Sequence, residues 1–185
     1  TLVRLADNPY FARLDIEEDG DTDKVYIGRR SLIDEESSDI LICDWRSDIA
    51  SLFYDTGLGK KFYDCPAGRM ECDLKLKRQF VIRDGELQYM FDSDIAIEDD
   101  ILKDELGKSA DLKLKTIVST IQKEQNIIIR EVNCDLLLVQ GVAGSGKTSV
   151  ALHRIAYLLY HDRENLKSSN VLVLSPNGVF SDYIS

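Results

Sequence analysis

A glycine-rich motif between two patterned segments constrains the fold of this chain most strongly. Residues 135–141 have the apolar run of a β-strand, residues 141–148 (GVAGSGKT) match the pattern G-x4-G-K-[ST], and residues 149–160 have helical spacing. Strand, loop and helix therefore follow one another in the order that a phosphate-binding P-loop requires. This order predicts an α/β fold, with a right-handed crossover that makes residues 136–139 and 171–174 parallel strands of one sheet.

Phosphate binding explains why each residue type occurs at its position in the motif. Glycine is needed where a Cβ would clash with the phosphates or where φ is positive, and the backbone N–H groups of the loop then face the anion. Lys147 brings a cation to the β- and γ-phosphate oxygens, and the Thr148 hydroxyl is predicted to ligate Mg²⁺. Lys147 and Thr148 are the predicted catalytic residues. The predicted nucleotide-binding residues of the motif are Gly141, Val142, Ala143, Gly144, Ser145, Gly146, Lys147, Thr148 and Ser149.

Phosphoryl transfer needs more than a phosphate cradle. It also needs a Walker-B carboxylate and an arginine that meets the developing charge. After Thr148 only one further strand is predicted, residues 170–174, and no Asp-Glu pair follows it. We therefore expect the chain to hold the front of an ATPase without its catalytic half, and to be a piece of a longer protein.

The first 94 residues have a different pattern and predict a β-rich unit. Asp84-Gly85 is a strong signal for a two-residue hairpin turn. Residues 15–23 and 34–39 are predicted to be acidic loops, and helical spacing begins after residue 94, with helices predicted over 95–106 and 112–130. The predicted strands are residues 24–28, 40–45, 50–54, 61–64, 74–82 and 86–91.

Charge and cysteine spacing exclude several classes of protein. The net charge is −10, and residues 1–115 hold 27 of the 33 acidic residues against 17 of the 23 basic ones. Such a field repels nucleic-acid backbones, which argues against a free-standing DNA-binding module. The four cysteines form no C-x2-C pair and are predicted to be inert thiols rather than zinc ligands. No apolar run approaches the roughly 18 residues of a membrane span, and we expect a cytoplasmic protein without a membrane partner.

The motifs in sequence resemble a known family. IQKEQ (121–125), LLLVQGVAGSGKT, ALHRIAYLL and VLVLSPN are similar to the Q motif, Walker A and motif Ia of a UvrD-like superfamily 1 helicase. The upstream stretches NPYFARLD, VYIGRRSL, DWRSDIASLFYDTG and LKRQFVIRDGELQYMFD resemble, more narrowly, HelD-type motors of Gram-positive bacteria. The resemblance implies an ATP- and Mg²⁺-dependent motor that acts on RNA polymerase, or on single-stranded or duplex DNA. It also implies two domains: a β-rich unit over residues 1–94, and a helical lead-in with the first part of a RecA-like motor domain 1A over residues 95–185.

The resemblance assigns further roles by position. Gln125 matches the glutamine that reads adenine, with Gln122 as the alternative. Ser175, Pro176 and Asn177 match a motif that touches the nucleic-acid strand, although an ordinary turn fits them equally. His153 and Arg154 are predicted to be packing residues. Two alternatives remain open: another P-loop enzyme, such as a small-molecule kinase or GTPase, and a non-catalytic module that docks on polymerase. A kinase lid rich in arginine and the N-K-x-D motif of a GTPase are both absent from the sequence.

Overall fold

Seven β-strands organise the N-terminal part of the chain. The structure is a computed structural model that describes residues 7–92 and 123–174. The strands are β1 (Ala12–Glu18), β2 (Asp21–Gly28), β3 (Leu32–Ile33), β4 (Ile40–Asp44), β5 (Gly59–Cys65), β6 (Gly68–Arg83) and β7 (Glu86–Asp92). The helices are α1 (Ser51–Tyr54) and α2 (Lys147–His161), with a helical segment over residues 123–130 and a 3-10 turn at Ser168–Asn170. The chain divides into two compact units, residues 1–127 and 128–185.

The seven strands form one mixed sheet in the order β3-β4-β2-β1-β6-β5, with β7 also paired to β6. Only β2 and β4 run parallel; the other pairs are antiparallel. The 16 residues of β6 are enough to pair with β5 through its first half and with β7 through its last. β6 is therefore the central strand, and β1 pairs along its other edge.

Asp-Gly turns close two of the hairpins of this sheet, β1–β2 and β6–β7. Asp84 and Gly85 have φ of 53° and 77°, the positive values of a type I′ turn, so the predicted hairpin is confirmed. Asp19 and Gly20 have φ of 51° and 92° and join β1 to β2 in the same way. The prediction of an acidic loop over residues 15–23 is therefore wrong, because residues 15–18 end β1 and residues 21–23 begin β2, which leaves only Asp19 and Gly20 in the turn.

The core lies where α1 covers the sheet. Phe53 of α1 is fully buried with Leu14 and Ile27, and its ring meets Phe11 edge to face at 5.7 Å between centroids. The predicted strand over residues 50–54 is wrong. Lys77 of β6, itself buried, donates from Nζ to the carbonyl oxygens of Phe53 and Asp55, which satisfies carbonyl groups at the end of this short helix.

The prediction of an α/β, RecA-like P-loop fold is also wrong. The described residues are mostly β, and every strand among them lies between residues 12 and 92. Residues 136–139 and 171–174, predicted to be parallel strands, pair with no strand in the described part of the chain. Leu136 and Leu138 are 88% and 87% exposed. An apolar run becomes a strand only where a neighbouring backbone accepts and donates its hydrogen bonds, and the described residues supply no such neighbour.

The predicted domain boundary at residue 94 stays a prediction, because residues 93–122 lie outside the described part of the chain. The predicted helix over residues 95–106 and the first half of the helix over residues 112–130 lie outside it as well.

Candidate functional site

The glycine-rich loop, residues 141–148, leads directly into the first turn of α2. Gly144 and Gly146 both have φ of 80°, in the left-handed region that glycine tolerates best. Gly146 is the N-cap of α2, and no side chain caps this helix end. The first intrahelical hydrogen bond runs from the N–H of Val150 to the carbonyl of Gly146. The N–H groups of the first turn lack helical acceptors, and an anion is their matching partner.

Lys147 folds back across the loop. Its Nζ donates to the carbonyl oxygens of Gly141 at 2.8 Å and Val142 at 2.6 Å, and it lies 3.4 Å from Ser145 Oγ. A phosphate oxygen is a charged acceptor, and charge-assisted hydrogen bonds are stronger than those to a neutral carbonyl. The ammonium can therefore exchange a carbonyl for a phosphate oxygen without leaving the loop. A Cβ on Gly141 would lie 2.7 Å from Ser145 Oγ, so a larger residue there would require the Ser145 side chain to move.

A cavity of 590 Å³ opens beside the loop. Its volume falls within the range of about 300–1,000 Å³ that is usual for small-molecule sites. Apart from Lys147 at its first position, the residues of α2 that line the cavity have the spacing i, i+1, i+4 and i+5, which places them on one face of the helix. The lining residues are Gly144, Ser145, Gly146, Lys147, Thr148, Ser149, Leu152 and His153.

His153 and Arg154 have opposite environments on this helix. His153 is exposed and lines the cavity, so its predicted packing role is wrong. Arg154 is half-buried, as expected of a packing residue. It donates from Nη1 to the carbonyl oxygens of Ile128, at 2.7 Å, and Glu131, and its Nη2 lies 3.7 Å from Cys134 Sγ. Arg154 therefore ties α2 to the backbone that precedes the loop.

The motif identified the loop, but it missed Leu152 and His153 as cavity residues. The signal that could have found them is spacing, since Leu152 lies four residues after Thr148 and His153 four residues after Ser149. The other predicted loop residues, Val142 and Ala143, are exposed at the turn that precedes Gly144.

Gln125 lies on the helical segment 123–130, in the first compact unit, with its side chain half-buried. Two residues earlier, Lys123 Nζ forms an ion pair with Asp55 at 3.3 Å. Burial raises the pKa of Asp55, but the Thr56 N–H and the Lys61 ammonium outweigh that effect and hold it below its usual value. Gln122, the alternative adenine reader, and the predicted strand-contacting residues Ser175, Pro176 and Asn177 all lie outside the described residues.

The residues around the loop suit Mg²⁺ that arrives with a nucleotide. Thr148 offers an exposed hydroxyl oxygen on the first turn of α2, the kind of hard ligand that Mg²⁺ takes. Among residues 7–92 and 123–174, no group of three acidic, histidine or cysteine side chains could hold a metal by itself. Mg²⁺ usually keeps several waters and binds through substrate phosphates, so one protein hydroxyl is compatible with it.

A second candidate surface lies on the sheet. Ile33 of β3 and Ile40 of β4 are directly opposite each other in the register and are 54% and 63% exposed. Leu41 is also exposed, and as the next residue of β4 it lies on the opposite face of the strand. Apolar side chains that cluster on a surface commonly mark a contact with another protein. We refer to Ile33, Ile40 and Leu41 as the apolar edge.

The sheet and the loop together define a protein with a β-sheet domain followed by a candidate nucleotide-binding segment. Residues 1–107 match the family described as "DNA helicase IV HelD, N-terminal domain". The match covers more than half of the chain, which therefore belongs to the HelD family. It ends before the glycine-rich loop. A search of curated proteins found no match. No helix within the described residues is long and apolar enough to cross a membrane.

Proposed function

We propose that the glycine-rich loop binds the phosphates of ATP together with Mg²⁺. The observation that carries this proposal is the uncapped N-terminus of α2, which opens beside a 590 Å³ cavity and follows two left-handed glycines. Lys147 supplies the cation, Thr148 the ligand for Mg²⁺, and the N–H groups of the first turn the remaining donors. These parts bind and orient phosphates. Membership of a DNA helicase family supports the nucleotide as the ligand.

In the longer protein, we propose that this site belongs to an ATP-dependent, helicase-like motor that remodels RNA polymerase or translocates on DNA. The excess of acidic residues in the N-terminal part favours a protein partner over naked DNA. The chain itself should bind nucleotide weakly and hydrolyse none, because it has no Walker-B acid or arginine finger to stabilise the transition state.

Calorimetric titration with Mg-ATP and Mg-GTP tests the nucleotide proposal. Lys147→Ala should weaken both nucleotides by at least tenfold, since a charge-assisted hydrogen bond contributes about 1.5–3 kcal/mol. Lys60→Ala is the matched control, because Lys60 is an 81% exposed lysine on β5. Equal binding by wild type and Lys147→Ala would contradict the proposal.

The same titration tests Gln125 as the adenine reader. A glutamine amide can both donate and accept, which suits adenine, whereas guanine presents O6 as an acceptor where adenine presents its N6 donor. Gln125→Ala should therefore reduce the preference for ATP over GTP by about one to two decades, since the unsatisfied pair costs roughly 1–3 kcal/mol. An unchanged ratio would remove Gln125 from the site.

The apolar edge supports a docking role for the sheet, and RNA polymerase is the proposed partner. Burying Ile33, Ile40 and Leu41 would remove exposed apolar side chains from water. Ile40→Lys should abolish co-sedimentation of the chain with RNA polymerase. Leu87→Lys, a similarly exposed site on β7, should leave it unchanged. Equal binding by wild type and Ile40→Lys would show that the apolar edge is not the docking surface.

A further inference from the structure

A side chain of α2 caps the end of the helical segment 123–130. Arg154 donates from Nη1 to the carbonyl oxygens of Ile128, at 2.7 Å, and Glu131. The last carbonyl groups of a helix have no partner within it, and a cation at that end also opposes the partial negative charge of the helix dipole. Nη2 of the same guanidinium lies 3.7 Å from Cys134 Sγ. One planar group therefore holds three points of the stretch that leads into the glycine-rich loop.

Arg154 lies on a different face of α2 from the cavity. Its neighbours on that face are Val150, four residues before it, and Tyr157, three residues after it, and both are 5% exposed. The guanidinium of Arg130, at the end of the helical segment, lies 5.1 Å from the centre of the Tyr157 ring. Arg154 is not among the residues that line the cavity. It can therefore act on a ligand there only through the chain that it holds.

The glycine-rich loop depends on its two flanks for its position. Residues 135–138 are exposed, and residues 136–139 pair with no strand in the described part of the chain. Glycines in the loop give its backbone more conformations to lose when a phosphate binds. Arg154 connects Glu131, before the loop, to α2, after the loop, and so closes residues 131–154 into a ring. Closing a flexible segment in this way reduces the entropy that is lost when a ligand fixes it.

We propose that Arg154 is a positioning residue of the phosphate site: it holds the chain before the loop against α2, so that Lys147 and the loop N–H groups meet the phosphates in a preformed arrangement. This inference rests on the proposed function of the loop. Arginine suits the role because its planar guanidinium has five N–H donors in a fixed geometry, enough to reach two carbonyl oxygens and a sulfur at once. A lysine ammonium is a point charge on a flexible stem and would hold fewer of these partners.

Calorimetry with Mg-tripolyphosphate and Mg-ATP tests the effect on affinity. Arg154→Met keeps an unbranched stem and removes the donors, so it should weaken both probes by the same factor, about three- to tenfold, as the preformed arrangement is lost. Arg154→Lys keeps the charge and should fall between wild type and Arg154→Met; it also replaces the methionine variant if that variant does not fold. Arg163→Met is the matched control and should bind like wild type, because Arg163 is an exposed arginine beyond the end of α2, 5.9 Å from the centre of the Tyr160 ring.

Hydrogen–deuterium exchange distinguishes positioning from packing. Saturating Mg-ATP should slow amide exchange at residues 129–134 in wild type, because a loop fixed by phosphate also steadies the chain that Arg154 ties to α2. In Arg154→Met, Mg-ATP should still slow exchange at residues 144–149 but no longer at residues 129–134. A residue that only packs would leave the effect of Mg-ATP at residues 129–134 the same in wild type and variant.

The outcomes separate this inference from the proposal on which it rests. Equal affinity of wild type and Arg154→Met for tripolyphosphate would show that Arg154 does not position the loop, while the phosphate site stands. The same conclusion follows if the effect of Mg-ATP at residues 129–134 is absent from wild type or is retained in Arg154→Met. Failure of wild type to bind either probe overturns the phosphate site, and the role of Arg154 with it.

Discussion

The sheet of residues 12–92 and the segment of residues 135–174 have similar apolar patterns and different outcomes. In the sheet, residues such as Leu14 and Ile27 are fully buried because neighbouring strands pair on both sides of β1 and β2. In the later segment, Leu136 and Leu138 remain exposed, with no paired strand among the described residues. A run of apolar residues therefore indicates that a segment can form a β-strand, but the segment does so only where another strand pairs with it.

The largest expected effect is the difference in unfolding free energy between an alanine substitution in the sheet and one in the later segment. Phe53→Ala should lower the free energy of unfolding by about 3–5 kcal/mol, because it leaves a cavity under α1 in the centre of the core. Leu138→Ala should change it by less than about 0.5 kcal/mol, since that side chain is 87% exposed. Urea titration followed by circular dichroism measures both. A comparable loss in Leu138→Ala would show that the later segment is packed as tightly as the sheet.

Replacing a glycine by alanine in each region should have a smaller effect, on stability in the sheet and on nucleotide binding in the loop. Gly20 and Gly144 have φ of 92° and 80°, and a Cβ on either would meet no atom within 4 Å, so only backbone strain distinguishes alanine from glycine there. Gly20→Ala should lower the stability of the sheet by about 1 kcal/mol. Gly144→Ala should leave the unfolding of the sheet unchanged and weaken Mg-ATP binding. If both variants affected only unfolding, the loop would be structural and would have no binding role.

The smallest expected effect is electrostatic and lies in the sheet. Arg78 donates to the Asp92 carboxylate at 2.5 and 2.8 Å and holds the pKa of Asp92 below its usual value. The unfolded chain then binds the proton more readily. The stabilisation is therefore complete above the ordinary carboxyl pKa of about 4 and is lost as pH falls through the lower folded-state value.

Asp92 is 51% exposed, so solvent screening limits this contribution to about 0.5 kcal/mol or less. Asp92→Asn should reduce stability slightly at pH 7 and leave it equal to wild type near pH 2. Asp64→Asn, at an exposed carboxylate of β5, is the control. A difference of the same size at both pH values would mean that the effect arises from packing and not from charge.

Much of the sheet could be predicted because its signals are local. The Asp84-Gly85 turn and the alternation that follows it define a hairpin within a few residues. β1 was missed because acidic side chains on its outer positions hid the alternation of Ala12, Leu14 and Ile16. α1 was misread as a strand because four residues are too few for a helical period to show.

In the candidate site too, the residues of a local motif could be predicted from the sequence, whereas contacts that depend on the fold could not. The motif predicts that residues 141–149 bind phosphate, because phosphate binding restricts residue types at fixed spacing. It could not identify His153, whose contact with Ser149 depends on the register of α2. Nor could it predict that residues 136–139 and 171–174 pair with no strand in the described part of the chain. The predicted fold was wrong for that second reason, since sheet pairing is a property of distant segments.

Hydrogen–deuterium exchange with and without Mg-ATP tests the central claim most directly, because it reads both regions in one experiment. Amides of β1, β2 and β6 should exchange slowly in either condition, as paired backbone groups do. Mg-ATP should slow exchange at residues 144–149 in wild type and have no effect in Lys147→Ala. Protection by Mg-ATP that appeared in the sheet and not in the loop, or that persisted in Lys147→Ala, would contradict the account.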